Sequence, residues 1–299
     1  TGLDDVSGGS GNTTVNAPLS GTLMTLSSLD SVDGGGGTDT LTATVNAAGT
    51  YAPTLTSVEN IHITFTAATT TVSLANASGY DIIENINSSQ TGTFSNIADL
   101  DATLKLSNTA LGGTFTYTTA AVAGSSDAAT LVVSDVTAGT VTIAGIETLN
   151  ISSVGSANAF GALTVANATT LDISGDQSLD LGTLSTSVTT IDGSDMSGAL
   201  TADGTNTTGN AITGGSGDDT IEGDAGADTL TGGAGDDAIT IAAGADTVAG
   251  GAGDDTIVAA GNLTSADTID GGDGDDTITL SAAVTAANGA GVSGVENIS

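Results

Sequence analysis

From Gly214 the chain repeats with a period of nine residues, and no other feature narrows its possible folds so far. The units GGSGDDTIE (214–222), GGAGDDAIT (232–240), GGAGDDTIV (250–258) and GGDGDDTIT (271–279) share glycine at positions 1, 2 and 4, aspartate at position 6 and an aliphatic residue at position 8. Between them GDAGADTLT (223–231), IAAGADTVA (241–249) and AAGNLTSADTID (259–270) keep the aspartate and lose glycines. Nine residues cannot bury an apolar face alone, so such units have to stack on copies of themselves. Alternating complete and incomplete units fit a two-sided coil of parallel strands, in which successive nonapeptides turn at opposite edges. Gly214, Gly232 and Gly250 follow at intervals of 18 residues and Gly271 after a three-residue insertion, so the four complete turns share one edge.

Charge then decides what the stack needs. Residues 214–279 hold fifteen acidic side chains and no Lys, Arg or His. Two carboxylates about 4 Å apart repel by roughly 4 kcal/mol at an effective dielectric near 20, and stacked turns multiply such pairs. A cation has to come from solution, and folding is expected to be coupled to its binding. Glycines at positions 1, 2 and 4 permit φ > 0 and let carbonyl oxygens point into a tight turn beside the position-6 carboxylate. Hard oxygen donors in that number suit Ca²⁺ rather than zinc or copper. The expected carboxylate ligands on the complete edge are Asp219, Asp237, Asp255 and Asp276. Turn residues Gly214, Ser216, Gly232, Ala234, Gly250, Ala252, Gly271 and Asp273 are candidates beside them. Asp228, Asp246 and Asp267 are the candidates on the other edge, and GGGGTDTLT (34–42) adds Asp39. With the roughly 10⁻⁴–10⁻³ M affinity of extracellular calcium modules, this segment is expected to stay loose in a calcium-poor cytosol and to order outside the cell.

A longer repeat ties the two ends of the chain together. DSVDGGGGTDTLT (30–42) matches DTIDGGDGDDTIT (267–279) at eight of thirteen positions, and SVENI (57–61) falls on GVENI (294–298) at the same offset of 237. DDVSGGSGNTTV begins with the tail of one nonapeptide and continues with a degraded unit, in which Thr13 replaces the aspartate. Both ends therefore read as cut from a longer array. Between about 43 and 210, runs such as TLTATV, NIHITF, GTFTYTT and ATLVVSDV alternate Val, Ile or Leu with Thr or Ser, the half-buried strand pattern. The expected fold is all-β, a right-handed parallel β-solenoid or β-roll. Four segments are expected: degenerate turns over 1–42, a Thr/Ser-rich solenoid over 43–210, a calcium-binding roll over 211–280 and the start of a further solenoid segment over 281–299.

Other function classes find little support. One Lys (Lys105), no Arg and 35 acidic residues give a net charge of −34, which repels nucleic acid and anionic lipid. The longest apolar runs are too short to span a bilayer, so no membrane insertion is expected. A lone His62 in NIHITF and the lack of a G-x-S-x-G turn argue against catalysis. Glu59, Glu147 and Glu296 recur before apolar strands as markers of solenoid turns or caps of a subdomain, with no chemical role assigned.

The nonapeptides resemble the repeats-in-toxin (RTX) family, which Gram-negative bacteria secrete through type I machinery. GIETLNI, ANATTLDISGD and VTTIDGSDMSGAL, leading into the turns, are similar more narrowly to RTX-type surface-layer proteins. That resemblance implies an extracellular structural protein, in which calcium folds the solenoid and bridges subunits of a homo-oligomeric lattice. The regions that anchor it to the outer cell surface would lie outside this segment. A spacer of a secreted RTX adhesin or biofilm matrix protein, and the carrier region of a secreted hydrolase, are the alternatives.

Overall fold

The computed structural model describes residues 4–18, 25–280 and 288–299. The expected 1–42 and 281–299 segments are described apart from residues 1–3, 19–24 and 281–287, which lie outside the described residues. The fold is all-β with parallel pairing, and among the described residues the only helical element is one 3-10 turn, Asn288–Gly291. The chain divides into two compact units, Thr1–Leu149 and Asn150–Ser299.

In the first unit, each coil contributes strands to as many as three sheets. Asp5–Ser7, Ser31–Asp33, Thr54–Thr56 and Ala77–Ser78 stack in order as one sheet. A second contains Thr14–Ala17, Thr40–Val45, Asn60–Phe65, Ile82–Ile86, Thr103–Thr109 and Ala128–Val136, and a third contains Gly49–Tyr51, Thr70–Ser73, Gly92–Ile97, Gly112–Tyr117 and Thr140–Ala144. Alternation explains why these runs are strands: in NIHITF, Ile61, Ile63 and Phe65 are buried while His62 and Thr64 face outward. Register repeats that choice from coil to coil, so that Leu41, Ile61, Ile83, Leu104 and Leu131 form one apolar column. Each fully buried Leu or Ile contributes about 1.5–3 kcal/mol by leaving water. Three of the four phenylalanines supply the bulk that is otherwise scarce. Phe65 meets Phe94 edge-on at 5.4 Å, and Phe94 stacks on Phe115 at 5.6 Å.

The second unit settles into an 18-residue coil over the nonapeptides. Ala211–Thr213, Thr229–Ala234, Thr247–Ala252 and Thr268–Asp273 pair along one sheet, and Thr220–Glu222, Ala238–Thr240, Thr256–Ala260 and Thr277–Leu280 along the opposite one. Position-8 residues form the two inner columns, Ile221–Ile239–Ile257–Ile278 on one side and Leu230–Val248–Ile269 on the other. None of these seven is more than 2% exposed. The turns joining the two sheets carry the position-6 aspartates.

Candidate metal centre

Each position-6 aspartate closes a glycine turn two residues before its buried aliphatic residue, so the strand pulls its carboxylate under the turn. Asp219, Asp237, Asp255 and Asp276 are at most 2% exposed, and Asp228, Asp246 and Asp267 at most 3%. Both sets form ladders. Asp219 N–H donates to Asp237 Oδ1, Asp237 N–H to Asp255 Oδ1 and Asp255 N–H to Asp276 Oδ1, each at 2.8 Å, and Leu200 N–H donates to Asp219 Oδ1 at 2.6 Å. On the other edge Asn210 N–H donates to Asp228 Oδ1 at 2.7 Å, Asp228 N–H to Asp246 Oδ1 at 3.0 Å and Asp246 N–H to Asp267 Oδ1 at 2.9 Å.

The second oxygens set the aspartates apart. Oδ2 of Asp39, Asp228, Asp237, Asp246, Asp255 and Asp276 is buried with no hydrogen-bond partner. Asp219 Oδ2 accepts Gly215 N–H and Asp267 Oδ2 accepts Thr264 N–H, both at 2.6 Å. A buried acceptor left unpaired costs about 1–3 kcal/mol and more when charged, so the six oxygens mark places where a further group belongs.

Position 1 has to be glycine because two oxygens crowd it. A methyl group on Gly232 would lie 2.2 Å from Asp237 Oδ2 and 2.5 Å from the Gly250 carbonyl oxygen. The same pairing recurs on Gly214 (Asp219 Oδ2 2.2 Å, Gly232 O 2.3 Å) and Gly250 (Asp255 Oδ2 2.3 Å, Gly271 O 2.2 Å). On the other edge, a methyl on Gly223 would meet Asp228 Oδ2 at 2.6 Å and then the Leu230 side chain, and Ile241 occupies the next position 1. Carboxylate and carbonyl therefore converge at position 1 on the complete edge, whereas at Gly223 the carboxylate is followed by an apolar side chain. At positions 2 and 4, Gly233 (φ +123°) and Gly235 (φ +116°) hold a backbone that residues with a Cβ rarely adopt. Among the position-3 residues, Ala234 pairs with Ala252 and Ala252 with Asp273. The carbonyls of Ala252 and Asp273 already accept Gly235 and Gly253 N–H at 2.8 and 2.9 Å.

Burial pushes five of these carboxyls above their ordinary range. Asp237 rises to about 7, from desolvation first and then from the charges of Asp219, Asp255 and Asp218, against the lowering effect of the Asp219 N–H. Asp219, Asp228, Asp246 and Asp255 shift in the same direction for the same leading reason. Among the described residues no three His, Asp or Glu side chains converge as a metal site, so one carboxylate per turn has to be completed by backbone oxygens. Orphaned carboxylate oxygens beside carbonyls are the donor set of a hard divalent cation, and calcium fits it.

The structure also places residues whose roles the sequence left open. Asp39 has the surroundings of a complete turn: it is 2% exposed, its Oδ1 accepts Thr13 N–H at 2.5 Å, and a methyl on Gly34 would lie 2.6 Å from its Oδ2. Glu59, Glu147 and Glu296 each accept a backbone N–H from the preceding coil, those of Asp39 (2.6 Å), Asp127 (2.8 Å) and Asp276 (2.9 Å). Position-5 aspartates form an outer, exposed ladder, with Asp236 N–H donating to Asp218, Asp254 N–H to Asp236 and Asp275 N–H to Asp254, all at 2.9 Å. The chain's single Lys and single His both serve a buried Glu84 in the first unit: His62 Nε2 lies 3.3 Å and Lys105 Nζ 3.5 Å from its carboxylate.

Comparison with known proteins agrees with this chemistry. The family described as RTX calcium-binding nonapeptide repeat (4 copies) matches residues 22–44, 205–240, 242–262 and 263–282. No curated protein matches the chain. The chain carries RTX nonapeptide repeats, and such repeats bind calcium ions.

Proposed function

We propose that this chain is a calcium-stabilised structural segment of a self-assembling bacterial surface layer. Proteins with RTX repeats are generally secreted, and outside the cell calcium is available at the concentrations that weak oxygen sites need. The observation that carries the calcium reading is the row of buried, unpartnered Oδ2 atoms facing carbonyl oxygens. Asp237, Asp255, Asp276 and Asp39 are the principal proposed ligands, together with Asp219, whose Oδ2 shares its place with one N–H. Asp228 and Asp246 form a second, poorer set, and Asp267, satisfied by its own loop, stands last. Bound there, calcium supplies the positive charge that the columns lack. The chain's own contribution is to hold one carboxylate per turn in register and to exclude water from it.

The lattice reading rests on the resemblance of the Thr/Ser-rich solenoid to surface-layer proteins, with copies of the chain as the proposed partner. Negative-stain electron microscopy of the purified chain and of the native cell surface in millimolar calcium tests it. Ordered two-dimensional arrays that dissolve in chelator are expected, and isolated fibres would favour a spacer in an adhesin.

A further inference from the structure

We propose that the (Ser/Gly)-Val-Glu-Asn-Ile coils, residues 57–61 and 294–298, complete the calcium site at the end of a column, where no glycine turn follows. Within a column, the next coil provides two things: the carbonyl of its position-1 glycine, facing the Asp Oδ2, and a carboxylate accepting the Asp N–H. Asp39 and Asp276 have no such turn after them. Instead, a methyl on Gly34 would lie 1.9 Å from the Ser57 carbonyl oxygen and 2.6 Å from Asp39 Oδ2, and one on Gly271 would lie 1.9 Å from the Gly294 carbonyl oxygen and 2.6 Å from Asp276 Oδ2. Glu59 Oε2 accepts Asp39 N–H at 2.6 Å and Glu296 Oε2 accepts Asp276 N–H at 2.9 Å. The longer glutamate thus stands in for the missing aspartate, and the carbonyl two residues before it stands in for the missing glycine carbonyl.

Both occurrences have the same internal plan. Ser27 and Thr264, 237 residues apart, each donate a backbone N–H at 2.6 Å to Asp30 and Asp267, which are likewise 237 apart. Glu147 shows that the glutamate alone does not make a site. It accepts Asp127 N–H at 2.8 Å, yet Gly124 N–H satisfies Asp127 Oδ2 at 2.9 Å, and no carbonyl oxygen is among the three atoms nearest a methyl on Gly124. Glu59 and Glu296 are therefore positioning residues for the end sites, and Glu147 is a structural cap.

This inference rests on the calcium reading above, and equilibrium dialysis of Ca²⁺ against the whole chain separates the two. Glu59→Ala and Glu296→Ala should each weaken one site by about 10–100-fold, the usual effect of removing a group that orients a ligand, and the double variant should lose two. Glu59→Gln should keep its site, because the amide oxygen accepts the same N–H. Glu147→Ala should bind as the native chain does. Native binding by Glu59→Ala and Glu296→Ala, loss of the site in Glu59→Gln, or an equal loss in Glu147→Ala would overturn the inference. If Glu59→Ala does not fold, the Glu296→Ala result decides alone. A native chain that takes up no calcium would overturn the calcium reading instead.

Discussion

Position 1 of a complete turn is glycine because an oxygen from its own aspartate and one from the next coil occupy the space of a Cβ. Gly232→Ala would push a methyl between Asp237 Oδ2 and the Gly250 carbonyl, and Gly232 has no positive φ to confuse the outcome. Calcium titrations followed by circular dichroism should show a lost site and a fold weaker by about 1–3 kcal/mol. Gly9→Ala, with no atom within 4 Å of the added carbon, should behave as the native chain. The aspartates give a test with opposite signs in the two states. Asp237→Asn keeps a ladder acceptor and removes a buried charge, so it should raise the melting temperature in chelator and lower it in calcium. Protonation should act similarly. With its folded pKa raised from 3.8 to about 7, Asp237 destabilises the calcium-free fold progressively as pH rises through that window. In chelator the melting temperature should therefore climb on acidification from pH about 7 towards 4. In calcium it should fall, because protons compete with the ion. A chelator curve of the opposite slope would remove burial as the dominant influence on these carboxyls.

At the scale of elements, the two halves of the sequence differ in what they disclose. Where the coil is 18 residues, spacing alone identifies which aspartates share a ladder, and the aliphatic columns of position 8 follow with it. In the first unit the interval varies: Thr40 pairs with Asn60, Ile82 with Thr103 and Thr103 with Thr130. Strands are legible there from alternation, whereas neighbours across coils are not. That is why the grouping of His62, Glu84 and Lys105 is invisible in the sequence although it uses the chain's only Lys and only His. Lys105→Met should cost about 1–3 kcal/mol in urea unfolding, short of the full penalty for breaking a buried pair because the lysine is about a third exposed. Glu59 and Glu296 were hidden for a related reason. Their partners lie 20 residues earlier, and only coordinates reveal that a glutamate can fill an aspartate's place. The degraded first unit offers a gain of function. A methyl on Gly8 would lie 1.8 Å from the Gly34 carbonyl oxygen and 2.9 Å from Thr13 Oγ1, so a carbonyl is present where the carboxylate is missing. Thr13→Asp should add one calcium ion per chain, measured by dialysis.

For the molecule as a whole, the negative charge is a requirement as much as a burden. The second unit stacks carboxylates that it cannot neutralise, since Lys105 and His62 both lie in the first unit. Its nonapeptide coils should be much less stable without calcium, whereas the first unit has a phenylalanine stack and one candidate column end at Asp39. The calcium requirement should therefore be concentrated in residues 211–280. Amide hydrogen exchange of the whole chain, read by mass spectrometry in chelator and in millimolar calcium, tests this most directly. Strong protection of the Asp219, Asp237 and Asp255 amides in calcium, lost in chelator, is the expected result. Equal protection of those amides in both conditions would contradict it.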